Sequence, residues 1–498
     1  MNPNTQQLTA KGDPAVWLLF ALALIPFLTA ISSQSLWIDE AVTAWQASAP
    51  DLKTCWRQQI EERGSELQMP LFMVYLWAWE KVSGTNEWLL RLGNLPWFLL
   101  GFVAWLKATS SNKSLRRGVV LATAFSPFVW FYLNEARPYA MQLGGSFLVF
   151  AALFRLGSRS PSSTPSDRLW SIGLACGIFI VCASNMLGVL WVATALSSAV
   201  IIMGPKRAWN LLKSFPLVWL FSLIILILLG AYYLWTFKQG ARASGAAGTD
   251  LKNILFIGYE LLGFTGIGPG RLELRESGVE SLRPYLPVLA IYAIVFLFLF
   301  AAAWRDRNWL AAQPKLFWTA LCLILAVVIL LAMGHFAHFR VLGRHLTPLM
   351  LPVLVWFGFG ISRLISRHGI FSKVLLSLFA GLNLYSCVSL RFADRHEKDD
   401  YRSAAKIAKA ELAAGKSVLW NADKSGALFY GVPISGELLP EKVWLVRNPG
   451  FDQIAEAPDI VIASKRDIYD RQNALRSFLE VGKYTVITNF PAFVIWGK

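Results

Sequence analysis

Apolar runs of about 20 residues, parted by short segments rich in Lys and Arg, recur along this chain from Pro14 to Leu390. A run of that length crosses hydrocarbon as a helix, because only then is every backbone N–H and C=O bonded within the run. Hydropathy places the starts of eleven spans near residues 14, 88, 118, 138, 169, 187, 214, 285, 316, 346 and 370. The segment 70–82 is apolar but short and carries Glu80 and Lys81, so it is expected in or on the outer face and not across the bilayer. The first run is too long, and too abruptly followed by Trp37, for a cleaved signal peptide, and it reads as an uncleaved first helix.

Charge orients the spans. With a cytoplasmic N-terminus, the basic connections 107–117, 155–168, 206–213, 305–315 and 363–373 all face inward, which the positive-inside bias requires. Three substantial regions then lie outside: 34–87, the glycine-rich 237–284, and everything after Leu390. In the last of these the run Arg395-His396-Glu397-Lys398-Asp399-Asp400 marks a change from apolar to mixed sequence. The expected organisation is a polytopic α-helical membrane domain over 1–391 and a small soluble α/β domain over 392–498. In the latter, helices are predicted over 401–414 and 472–480, strands over 417–420 and 459–463, and two closing strands over 484–496 around Asn489 and Pro491.

Composition agrees with this class, the chain being 55% hydrophobic with a mean hydropathy of +0.47. A net charge of +16 would suggest nucleic acid in a soluble protein, but here the basic residues sit between apolar runs and topology accounts for them. Of five cysteines only Cys55 falls clearly outside a span, so no disulfide framework is implied.

Candidate chemistry lies in the outer segments. Asp39-Glu40 opens the polar loop after the first span, and Trp45 and Trp56 follow it as interfacial anchors. Next come Glu66-Leu67-Gln68-Met69-Pro70-Leu71 and then Glu87 with Arg91, the latter inside the first turn or so of the second span. Asn134-Glu135-Ala136-Arg137-Pro138-Tyr139 forms a tight outer turn, with Glu135, Arg137 and Tyr139 expected at the rim. His335, His338, Arg340, Arg344 and His345 crowd a late outer segment, against the inside bias for positive charge. The plain alternatives are solvated loop acids, an Arg91–Glu87 pair along one helix face, and solvated loop cations. The histidine spacing matches no standard metal site, and no metal ligand is assigned.

In their order these motifs resemble the polyprenyl-phosphate-sugar-dependent glycosyltransferases of the GT-C fold, in the branch of the protein O-mannosyltransferases and lipid A aminoarabinose transferases. The resemblance implies that Asp39 is the catalytic acid of the first loop and that Arg91, Arg137 and Arg344 contact the donor phosphate. Glu40, Glu66, Tyr139 and Arg340 would support them. Relatives often carry His or a second Pro before the Pro-Leu pair, where this chain has Gln68-Met69, and Glu66 is the substitute. No cofactor is fixed, and a divalent metal stays open.

The chemistry is consistent with that set. Fixed guanidinium groups stabilise a lipid phosphate as it leaves, and a carboxylate takes the proton of the attacking hydroxyl. Attack opposite the phosphate inverts the anomeric centre. The expected partners are the lipid-linked sugar, a glycan, lipid or protein acceptor, and membrane lipids, with no nucleic acid. The expected location is a bacterial inner membrane, with the site and C-terminal domain facing the periplasm. Two further readings stand beside this one. A lipid-linked saccharide flippase would show two related halves and midplane polar groups, and no internal repeat is visible. A surface polysaccharide ligase or polymerase would share the arginines but lack the early acidic pair.

Overall fold

The computed structural model describes residues 13–109, 113–158, 164–239, 248–304, 314–367, 369–434, 443–445, 457–470 and 473–498. Gly240, Gly245 and most of the 305–315 connection lie outside them. The chain divides into two compact units. The first comprises Met1–Ile31, Arg57–Tyr75 and Arg91–Ala393, and the second Ser32–Trp56, Leu76–Leu90 and Asp394–Lys498.

Among the described residues seven helices are long and apolar enough to cross a bilayer: Glu87–Ala108, Tyr139–Gly157, Pro165–Ser184, Pro216–Lys238, Arg271–Ala303, Gly343–Ser366 and Ile370–Phe392. Gly188–Met203 and Pro205–Ser214, bent by 112°, make an eighth if taken as one span. Pro14–Ala30 is a shorter apolar helix, and Pro314–Phe336 is an apolar helix of 23 residues. The run expected from residue 118 breaks into Lys113–Ala124 and Pro127–Leu133. Pro127 has no N–H to offer the Thr123 carbonyl, which accepts from Ser126 N instead (3.3 Å); across the break Ser126 Oγ accepts from Val129 N (3.3 Å) and Trp130 Nε1 donates to the Ala124 carbonyl (2.8 Å). Apolar helices thus lie at the expected positions, seven or eight of them among the described residues meeting the length and apolarity of a span, while the run from 118 is broken and Pro14–Ala30 is short. Residues 70–82 form the helix Pro70–Ser83, whose 14 residues fall short of a bilayer.

Helix starts follow the local chemistry. Proline opens Pro14–Ala30, Pro165–Ser184, Pro205–Ser214 and Pro216–Lys238, where its missing N–H costs nothing. Asp13 caps the first helix at Ala15 N and takes a two-pronged ion pair from Arg117, which holds its carboxyl below the usual range. Pro216–Lys238 is apolar all round and leaves Leu217, Leu220, Phe221 and Leu228 uncovered, as a helix facing lipid does.

Asn94–Ala108 and Tyr139–Ser158 approach closely, and their contact depends on missing side chains. A Cβ on Gly101 would stand 1.8 Å from Gly144 O, and one on Gly144 would stand 2.1 Å from Trp97 O. Small residues bring backbones together where apolar burial gives no drive against lipid tails. Phe98, Phe102 and Phe147 fill the adjoining core.

The second unit holds a five-stranded sheet of β1 (Val418–Asn421), β2 (Val443–Leu445), β3 (Ile460–Ser464), β4 (Thr485–Phe490) and β5 (Phe493–Gly497). The order is β2-β1-β3-β5-β4, with β1 parallel to β2 and β3, and β5 antiparallel to β3 and β4. Both faces are covered. Tyr401, Trp420 and Phe493 pack on one side and Leu475, Leu479 and Trp496 on the other, which is why β1 and β3 read as unbroken apolar runs. The expected α/β elements are present to within a few residues, with Tyr401–Ala413 and Ala474–Val481 as the helices. Missing from the sequence reading were β2 and the short helices Lys424–Phe429 and Arg466–Tyr469, which are too brief to show a period.

Gly144→Ala is expected to cost about 1–3 kcal/mol by forcing the two helices apart. The check is the thermal unfolding midpoint of detergent-solubilised protein, which should fall by several degrees.

Candidate active site

Asp39-Glu40 is not in a loop. Ile38–Ala47 is a helix, and the two acids are its second and third residues. The Glu40 side chain turns back to the Trp37 amide (3.4 Å), closing the first turn, and the turn's free amides favour negative charge beside them. A sequence reading keyed to polarity saw only a loop, because Trp37 is an unusual residue to precede a helix. The two acids have different surroundings. Glu40 is fully buried and bonded to Lys398 Nζ at 2.9 Å, while Asp39 is half-buried. Both belong to the second unit.

Glu66, a further candidate acid of residues 34–87, is also paired. Glu66 Oε1 lies 2.6 Å from Arg137 Nη1, both side chains buried, and Arg137 Nη2 donates to Ser65 Oγ at 3.1 Å. This corrects the expectation for the Asn134–Tyr139 turn in two ways. Glu135, Arg137 and Tyr139 are buried, at 1–3% exposure, and do not sit at a rim. Arg137 carries a carboxylate partner, as a guanidinium taken out of water must. Asn94 Nδ2 holds the turn from below by donating to the carbonyls of Leu133 (3.2 Å) and Glu135.

A second ionic group, which sequence reading did not assign, lies in the same unit. Glu260, at the end of the helix Leu251–Leu261, accepts from Arg271 Nη2 at 2.8 Å and from Gly343 N at 2.7 Å. Arg271 also lies 3.8 Å from Glu135 and stacks on the Phe131 ring at 4.0 Å. Glu260 therefore ties three distant segments together: the glycine-rich region, the Asn134–Tyr139 turn through Arg271, and the segment bearing Arg344. Two glycines of the glycine-rich region are close-packed. Gly263 takes a left-handed φ of 82°, and a Cβ on Gly266 would overlap the Ser386 carbonyl at 2.0 Å. A buried Glu inside an otherwise apolar helix was the signal available for Glu260.

Arg91 is fully buried and Arg344 half-buried, both in the first unit, whereas Arg340 is exposed. Glu87 falls in the second unit, where it accepts from Arg402 Nη1 and Tyr430 OH, both at 3.1 Å. The histidines have structural partners. His345 Nδ1 accepts from Leu342 N (3.0 Å), and His335 Nδ1 lies 3.2 Å from the Thr249 carbonyl. Among the described residues no three His, Cys, Asp or Glu side chains gather as metal ligands, and all five cysteines are free thiols.

The apolar helices and the small α/β sheet belong to an integral membrane protein of the GT-C fold, as the motif order led one to expect. The crystal structure of ArnT from Cupriavidus metallidurans bound to undecaprenyl phosphate is similar over 97% of this chain and 98% of that one, with a TM-score of 0.55 at 14% identity. The apo state of the same protein gives a TM-score of 0.53 at 14% identity, over 97% of each chain. No family model matches the chain, and no curated protein matches it in sequence.

Glu66→Leu should strand the Arg137 charge at a cost of about 3–5 kcal/mol, and adding Arg137→Leu should recover most of it. Thermal unfolding of the single and double variants in detergent measures both changes.

Proposed function

We propose that this protein is an inverting glycosyltransferase, moving a sugar from a polyprenyl-phosphate-linked donor to a hydroxyl of a glycan, lipid or protein acceptor on the outer face of a bacterial inner membrane. The observation that carries the reading is the half-buried carboxylate of Asp39 in the first turn of an outer helix, on a fold shared with a protein solved with undecaprenyl phosphate. Asp39 takes the proton as the acceptor oxygen bonds to the anomeric carbon. The bond from that carbon to the phosphate oxygen breaks with its electron pair, and polyprenyl phosphate leaves. Displacement from the opposite face inverts the centre.

The leaving phosphate gains negative charge as the bond breaks, so cations fixed beside it lower the barrier. Arg91 and Arg344 are the proposed contacts. Arg137 already donates to Glu66 and Ser65, and its proposed part is to hold residues 65–68 in register with the Asn134–Tyr139 turn. In this reading Arg91 and Arg344 recognise the phosphate and not the sugar.

Asp39→Asn should lower sugar transfer from a radiolabelled polyprenyl-phosphate donor by about 10²- to 10⁴-fold while donor binding persists. Full transfer in that variant would remove the base assignment. Arg344→Ala should instead weaken donor binding and turnover together, read in the same assay.

A further inference from the structure

Residues 35–40 lead into and begin the helix that carries Asp39, and in the second unit they are fastened from one direction by residues more than 350 positions later. Ser35 Oγ accepts from Arg402 N at 3.1 Å. Leu36 N donates to Tyr430 OH at 2.9 Å, and burial pushes that hydroxyl's pKa well up, so it stays neutral. Ile38 N donates to Asp399 Oδ2 at 3.3 Å, and Glu40 bonds Lys398 at 2.9 Å. Asp399 is in turn paired with Lys465, both side chains under a tenth exposed. The Lys465 ammonium stands 5.9 Å from the centre of the Trp37 ring, at the residue that precedes the helix. The Ile38 side chain packs on the core formed by Tyr401, Trp420 and Phe493.

Lys465 has a left-handed φ of 41°, unfavourable for a residue with a side chain. It directly follows β3, and its ammonium is held at once by Asp399 and by the Trp37 ring. The conformation is tolerated because it brings one cation to both. A loop that needed only to be folded could close on apolar contacts alone. Here two ion pairs and three backbone-directed hydrogen bonds fix where the first turn of the helix begins and how it is rotated. Rotation is what decides where a side chain at the second helical position points.

We infer that Lys398 and Asp399 are positioning residues for Asp39, so that the α/β unit sets the direction of the proposed catalytic carboxylate by gripping the helix at Ile38 and Glu40. This rests on the reading of Asp39 as the base. It gives the C-terminal region a part in the reaction that does not require it to touch the donor.

The test uses the full-length protein in detergent or nanodiscs, with the same labelled donor. Lys398→Met should lower kcat by about 10- to 100-fold, the size of effect a small misplacement of a reacting group produces. KM for the donor should stay within about two-fold, since ground-state binding is untouched. Lys398→Arg should restore turnover. Asp399→Asn should behave as Lys398→Met does. The pair Glu40→Gln with Lys398→Met leaves no stranded charge, and its thermal midpoint shows whether the protein is folded; when folded it should keep the kcat defect. A normal kcat in Lys398→Met or in the folded pair overturns the proposal, as does a raised KM with normal kcat. The two readings separate cleanly. Asp39→Asn at full rate removes the base itself, whereas an inactive Asp39→Asn beside a fully active Lys398→Met removes only the positioning role.

Discussion

A charge withdrawn from water must find an opposite charge or a set of hydrogen bonds, and both units of this protein are organised around that requirement. In the helical unit Glu66 meets Arg137, while Glu260 and Glu135 share Arg271. In the α/β unit Glu40 meets Lys398 and Asp399 meets Lys465. Each pair joins segments far apart in the chain, so each fixes the register of elements that apolar packing alone would leave free to slide. This matters most among lipid-facing helices, where moving from lipid to protein gains little hydrophobic energy. Close glycine contacts such as Gly101 on Gly144 bring the helices together, and the ion pairs decide which segments meet.

Much of the fold could be read from the chain because bilayer thickness and backbone hydrogen bonding leave few choices. Run length located the helices, and proline marked several of their starts. What could not be read was where an apolar run stops being one helix. The break at Ser126 depends on Trp130 reaching back to the Ala124 carbonyl, which is a three-dimensional contact without a local pattern. Nor does a glycine-rich stretch show which of its glycines are needed: Gly263 and Gly266 are where backbone and neighbour come too close for a Cβ.

For the candidate site, sequence identified residue types better than partners. Asp39 and the arginines stood out as charges at the edge of apolar runs. Asp39 was nevertheless placed in a loop, because the closing contact from Glu40 to the Trp37 amide is invisible without coordinates. Arg137 looked like an available cation until Glu66, 71 residues earlier, proved to be its partner. Lys398 and Asp399 sat in a charge run that read as a domain boundary. Their bonds to Glu40 and Ile38 cross 358 and 361 positions, and no single sequence records such a pairing.

The α/β unit takes chain from three separate places, and its last strand in sequence, β5, lies between β3 and β4 in the sheet. Ile38 rests on a core that Phe493 and Ile495 complete. The acidic helix is therefore made more than 350 residues before the segments that clamp it. Any early folding of Ile38–Ala47 thus lacks the Lys398 and Asp399 contacts, and the start of this helix is settled late, by segments made long after it.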